Sequence, residues 1–511
     1  MLLERHDQLD LPQYQRIAFD REPVVLAPAL LSAVAESRTA LLEHLGSGAA
    51  AYGVNTGLGY LASRPVVVAD QADFQRSILA GRATGVGRAL SEEVVRGAML
   101  LRLTGFLSGY AGVSPELCSL LADRLNDGWF PVVPGGVSGA AGEIVPLAHL
   151  FLALVDEAMP PYSLGAKEGI ALINGAPLAP ALAIPLLLRA DALLEHATLC
   201  AALAIAVTGA SVRPYAPRIG ELKGDPGQLA VHGRLWSLLD PSPDRLHDAR
   251  QAPVSLRVVP QVHGAATDLL SHLRAQVDRE LRAVTDSPVF LAASDAGAGI
   301  ADSNAGIADS DAGIADSDAG MAEPEGLYPT GNFHAQYLVL LIDAAAIALT
   351  QVVNLVEKRL HRLLDTRFSG LPDQLTTDPG RQSGVIVLHK QVIGLAAQAR
   401  TLAPPATIHA IDGSTGQEDF QTHTLLAAHQ LDGVLDSLEL ALAYELVALR
   451  QGRYLSGGPL AAPLEEAVSR IASVVPPVVE DRSLAPDVLR VRDLVASGQL
   501  VGGVRSASIW S

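Results

Sequence analysis

The chain has 511 residues, 37 basic and 55 acidic side chains, a formal net charge of −18 and 49% hydrophobic residues. That apolar content excludes a globally disordered chain. The acidity argues against a nucleic-acid or anionic-membrane surface, which would present a basic patch. Two cysteines, Cys118 and Cys200, are too few for a disulfide framework or a zinc cluster and fit a reducing compartment. The N-terminus mixes charges where a signal peptide would be apolar, so a cytoplasmic location is expected.

Taken in chain order, the first unusual segment is Tyr52-Gly53-Val54-Asn55-Thr56-Gly57-Leu58-Gly59. Its three glycines allow a tight loop that aims Tyr52 into a cavity, or a plain structural turn with a packed tyrosine. Gly81 to Gly87 is glycine-rich but fits neither a phosphate loop nor a dinucleotide fingerprint. Ser114-Pro115-Glu116 predicts a capped helix start, and Gly128 predicts its end. Gly136 to His149 runs small residues into a helix start. Ala176–Leu188 is apolar but carries three prolines, and reads as core rather than a membrane span.

Leu269, Leu273, Val277, Leu281 and Val284 recur at helical spacing and predict one apolar face. A heptad beginning at Gly299, Gly306 and Gly313 has one large apolar residue per repeat, which makes no coiled-coil seam. It reads as a surface loop. Between Asp295 and Glu325 lie eight acids, five of them inside this repeat, so much of the net charge belongs there. Gly331-Asn332-Phe333-His334 precedes Tyr337–Asp365, which has no glycine or proline and predicts a helix about 43 Å long. Thr424–Arg450 predicts a second long helix, interrupted only by Gly433. Such helices bury long faces against each other, which predicts a central antiparallel bundle and a mostly α fold. Three parts are expected: 1–190, mainly helical; 191–460, the bundle with an insertion at about 293–325; and 461–511, a helical tail. No metal-ligating motif is visible, so no metal is expected.

The Tyr52, Gly136 and Gly331 segments together resemble the aromatic amino acid ammonia-lyase and aminomutase family. The resemblance continues in order through Lys167–Gly175, Ser255–Gly264, Glu280–Pro288, Ser369–Pro372 and Gln417-Glu418-Asp419. It implies an elongated helical subunit of the ammonia-lyase (fumarase/aspartase-like) superfamily. It also implies a homotetramer with active sites shared between subunits. In that family an electrophile, 4-methylideneimidazole-5-one, forms from an internal Ala-Ser-Gly. The aligned tripeptide here is Ala140-Ala141-Gly142, which lacks the hydroxyl that leaves as water, so no prosthetic group is expected. Val137-Ser138-Gly139, three residues upstream, is the other tripeptide of suitable pattern.

Carried over by motif, Tyr52 implies a general base, Asn174 a hydrogen-bonding group near the reacting centre, and Arg257 a carboxylate binder. Phe333 and Glu418 imply pocket lining. Arg82 stands where the family often has histidine, and Val254 where it has a second tyrosine, so both are read as substrate-facing. Each has a structural alternative: an ion pair for Arg257, a turn for Asn174, a helix-end residue for Glu418, and core packing for Phe333.

The expected function is a divergent ammonia-lyase-like enzyme without the electrophile, in specialised metabolism. Tyrosine acid–base chemistry would then eliminate, add to, cyclise or isomerise an activated small carboxyl or carbonyl compound. One alternative is an ammonia-lyase or aminomutase whose serine was replaced by alanine, for which the reversion Ala141→Ser is the discriminating variant. The other is a non-catalytic ligand-binding homologue. Neither a nucleic acid nor a membrane is expected as a partner.

Overall fold

The computed structural model describes residues 1–67, 70–239, 251–292, 325–501 and 508–511. The seven-residue repeat lies outside the described residues. The chain is built on five bundle helices, numbered here α1 (Leu178–Val207), α2 (Val259–Glu280), α3 (Gln336–Leu363), α4 (Ile386–Leu402) and α5 (Thr424–Ser456). Helix α5, at 33 residues, is about 50 Å long. It packs against α1, α3 and α4, and α3 packs against α1, α2 and α4. Described strands are short. Leu2–Leu3 pairs in parallel with Val25–Leu26, and Val289–Leu291 pairs antiparallel with Gly326–Tyr328.

Local chemistry explains the helix ends. The Ser114 hydroxyl accepts the Leu117 N–H at 3.3 Å and opens the helix Pro115–Asn126, beyond which Gly128 has φ +69°. Gly433 sits inside α5 because a Cβ there would come within 2.7 Å of Leu402 at the end of α4. The apolar face of α2 is shifted from the predicted one. His263, Ala266, Leu270, Leu273 and Val277 are buried, Leu269 is half-buried, and Val284 lies past the helix end. The expected boundary at 190 falls inside the continuous helix α1.

By length and composition, the stretch Glu168–Val207 and helix α3 would both suffice to cross a membrane, against the sequence reading. Their apolar windows are 94% and 61% buried within the fold, which makes them core elements.

Charges buried in the bundle are paired. Arg359 of α3 holds Glu445 of α5 through two hydrogen bonds of 2.9 and 2.8 Å, with both side chains excluded from solvent. Arg189 of α1 meets Asp432, Asp436 and Glu439 of α5 at 2.9, 2.7 and 3.0 Å. Removing a charge from water is costly, and two-point pairing offsets it while fixing helix register.

Candidate active site

The Tyr52 loop is shaped by its small residues. Gly53 has φ +70°, and a Cβ there would lie 2.8 Å from Leu58 and 3.1 Å from Ile170. The Asn55 side chain ties the loop, accepting the Ala51 N–H at 2.7 Å and donating to Ala49 O at 2.8 Å. The Gly59 N–H donates to the Tyr52 hydroxyl oxygen at 3.0 Å, which fixes where that oxygen sits.

Buried Gln75 joins this loop to the segment carrying Asn174. Its amide donates to Gly53 O at 2.9 Å, and its oxygen accepts the Gly169 N–H at 2.9 Å. Asn174 follows the short helix Glu168–Ile173 and donates through Nδ2 to Ser287 O at 2.7 Å. The carbonyl of Asn174 also accepts from Arg102 at 3.1 Å. Behind it lies a buried ion cluster, in which Asp286 receives Lys167 at 2.7 Å and Arg102 at 2.9 Å. Burial lowers the Lys167 and Arg102 pKa values, and Asp286 opposes the shift. The cluster fixes the 286–287 backbone against Asn174.

These elements enclose a cavity of about 370 Å³ lined by Tyr52, Arg82, Ala141, Gly142, Asn174, Phe333 and Glu418, with Ser287, Thr330, Ser414 and Gln417. Arg82 donates to Ile78 O at 3.3 Å. Burial lowers its pKa, while Tyr52 and Glu418 act against that shift. Glu418 lies in a loop rather than at a helix end, and its Oε2 accepts the Ala141 N–H at 3.3 Å. A Cβ on Gly142 would stand 3.2 Å from the Phe333 ring. One position thus gathers a fixed phenol, a guanidinium and a carboxylate, a set able to move a proton and hold an anion.

Two expected site residues are not brought there. Val254 and Arg257 lie on the short helix Val254–Arg257 and do not line the cavity of their own chain. Val254 is 59% exposed. Arg257 donates to Ala252 O at 3.0 Å, and both its Nη atoms reach the Gln251 amide oxygen, at 2.9 and 3.1 Å, when that amide faces them. Both partners are neutral, so the structural ion pair considered for Arg257 is not found among the described residues. Ala140 lines a separate small recess with Ser138, whose hydroxyl accepts the Ala140 N–H at 3.2 Å.

Sequence reasoning missed Gln75, which sits in an ordinary helix with no local signal. It also missed the work done by Glu143. The Glu143 carboxylate accepts the Leu178 and Ala179 N–H groups at 2.6 and 2.7 Å, capping α1 directly behind the tripeptide. Burial pushes its pKa up to about 8, against the pull of those two donors.

Fold and cavity together define a helical-bundle enzyme. The chain belongs to the family of aromatic amino acid lyases, which it matches over residues 9–473. It is 32% identical to the histidine ammonia-lyase of Geobacillus thermodenitrificans, over 98% of this chain and 100% of that one. It is also 32% identical to the histidine ammonia-lyase of Deinococcus radiodurans, over 99% and 95%. Among solved structures, it superposes on ergothionase from Treponema denticola in complex with desmethyl-ergothioneine sulfonic acid, with TM-score 0.87 and 22% identity over 98% and 100% of the chains. Tyrosine aminomutase from Streptomyces globisporus gives TM-score 0.84 and 24% identity over 99% of both chains. These structural likenesses concern the fold. The chain is a lyase-family enzyme.

The relatives correct one expectation. The absence of a prosthetic group was inferred from one side chain, whereas histidine ammonia-lyases, which carry the group, match along nearly the whole chain. Nothing in the chain shows it to be without one. The fit at 140–142 is a narrower matter. Ala141 ends in a methyl group with no oxygen to lose, so these three residues do not fit a group made from Ala-Ser-Gly. No step below is routed through one.

Proposed function

We propose that the enzyme is a lyase acting on a small amino-acid-like carboxylate, in which Tyr52 moves the proton. The observation that carries this reading is the Tyr52 oxygen, held by Gly59 N–H in a cavity that also contains Arg82 and Glu418. In its ionised form Tyr52 takes a proton from a carbon next to the substrate's activating group. The C–H pair becomes the new double bond, the bond to the leaving group breaks, and the proton ends on the Tyr52 oxygen. Arg82 stabilises negative charge that develops on the substrate, and the Asn174 amide orients it. Glu418 accepts from a substrate N–H. Addition, cyclisation or isomerisation begins or ends with the same proton transfer and is compatible with the same residues.

In this reading Arg257 binds the substrate carboxylate in the cavity of a neighbouring subunit of a homotetramer, and Val254 borders it there. Support comes from the guanidinium of Arg257, whose partners among the described residues are neutral, and from the exposure of Val254. Histidine is the first substrate to try, because it names the activity of the relatives.

The experiment is subunit mixing. Tyr52→Phe and Arg257→Ala homo-oligomers are each expected to be nearly inactive, and their co-refolded mixture to regain part of the wild-type turnover. A Tyr52→Phe enzyme with full turnover would end the assignment of Tyr52. A mixture no more active than its parents would place Arg257 outside the shared site.

A further inference from the structure

Far from this cavity, the last two turns of α3 and the first turn of α4 bring together Glu357, His361 and His389. Glu357 and His361 are four residues apart on one helix and therefore lie on one face. His389 crosses from α4, with Nε2 at 2.9 Å from Glu357 Oε1. The His361 and His389 rings are stacked, with centroids 4.7 Å apart and planes within 17°. One ligand atom from each of the three residues lies within 4.8 Å of the others.

The donor set is two imidazole nitrogens and one carboxylate oxygen. That is the set that binds first-row divalent ions of the zinc type with three protein ligands and one open position. Glu357 and His389 are buried, whereas His361 is half-buried and gives access from solvent. The other carboxylate oxygen, Glu357 Oε2, is shielded from water and faces the Lys358 ammonium at 2.7 Å, so this carboxylate already holds a positive charge at the site. Neutral imidazole is the metal-binding form. The negative end of the α3 dipole also favours a cation at this position.

We infer that Glu357, His361 and His389 form a binding site for one divalent transition-metal ion per chain, tying the end of α3 to the start of α4. The site is distinct from the cavity. Phe333 stands just before the start of α3, and Glu357 lies 21 residues into that helix, about 32 Å along its axis. The ion would displace Lys358, which is exposed and free to turn outward.

The test uses the full-length enzyme, stripped with a chelator and titrated with Zn²⁺ and with Co²⁺. One ion per chain is expected, with visible Co²⁺ absorption of a low-coordinate nitrogen–oxygen site. Zn²⁺ is expected to raise the thermal midpoint. His361→Ala and His389→Ala should each weaken binding by at least the roughly 10–100-fold that loss of an outer-shell partner costs. Glu357→Gln should abolish the Co²⁺ signature. His409→Ala, at a histidine pair elsewhere on the chain, should leave binding unchanged. Because His361 is half-buried, its variant is expected to fold, and its metal-free thermal midpoint checks that. Wild-type binding only at millimolar metal, or equal affinity in His361→Ala, would overturn the site.

Discussion

The bundle and the cavity treat charge in opposite ways. In the bundle, Arg359 is locked to Glu445 and Arg189 to three acids of α5, so each guanidinium is held by carboxylates of the fold. In the cavity, Arg82 has a backbone carbonyl and no carboxylate within ion-pair distance among the described residues, and Glu418 holds one backbone N–H. The first arrangement fixes helices against each other. The second leaves a charge in a sheltered space, where it serves a ligand rather than the fold.

Changes at four places test that contrast, the largest expected loss of turnover first and the pH-dependent effect last. Tyr52→Phe should lower kcat by about 10²–10⁴-fold. Its thermal midpoint should stay at the wild-type value, since the loop is held by Asn55 and Gln75. Arg359→Leu should do the reverse. Leaving Glu445 buried and alone costs about 3–5 kcal/mol, read as a lower denaturation midpoint, while turnover per folded molecule is kept. The paired change Arg359→Leu with Glu445→Leu should recover much of that loss. A bundle insensitive to Arg359→Leu would break the contrast from the structural side.

Arg82→Met should weaken binding of an anionic substrate by roughly 10–100-fold, the worth of one charge-assisted hydrogen bond, with no loss of stability. Glu143 gives an effect that depends on pH. Its pKa is raised on folding to about 8. The folded protein therefore binds the proton more tightly than the unfolded chain. Its stabilising contribution is full below the ordinary carboxylate range and is lost as pH rises toward 8. Thermal midpoints measured from pH 5 to 8 should fall, and Glu143→Gln should flatten that slope.

Much of this was legible in the sequence where a single segment carried its own signal. Helices α3 and α5 were readable because long runs without proline leave little else to form. The Ser114 cap was readable because serine before proline and glutamate has a direct physical meaning. Tyr52, Arg82, Asn174, Phe333 and Glu418 were found through the order of short motifs, and the fold brings them to one cavity.

What was illegible depended on distant partners. Gln75 matters only because Gly53 and Gly169 happen to meet it. His389 is 28 residues beyond His361, and nothing in the spacing announces that their rings stack. Arg257 and Val254 were grouped with the cavity by motif, yet they do not line it within the chain. The expectation of no prosthetic group failed for the opposite reason, by letting one position outweigh a match along the whole chain.

The central claim is that Tyr52 moves a substrate proton in this cavity. The most direct measurement follows carbon-bound hydrogens of a bound substrate, histidine first, by proton NMR in D₂O with wild-type and Tyr52→Phe enzymes at equal saturation. The account predicts deuterium entry or loss of the signal with wild-type enzyme and none above background with Tyr52→Phe. Exchange at the wild-type rate in Tyr52→Phe would contradict it.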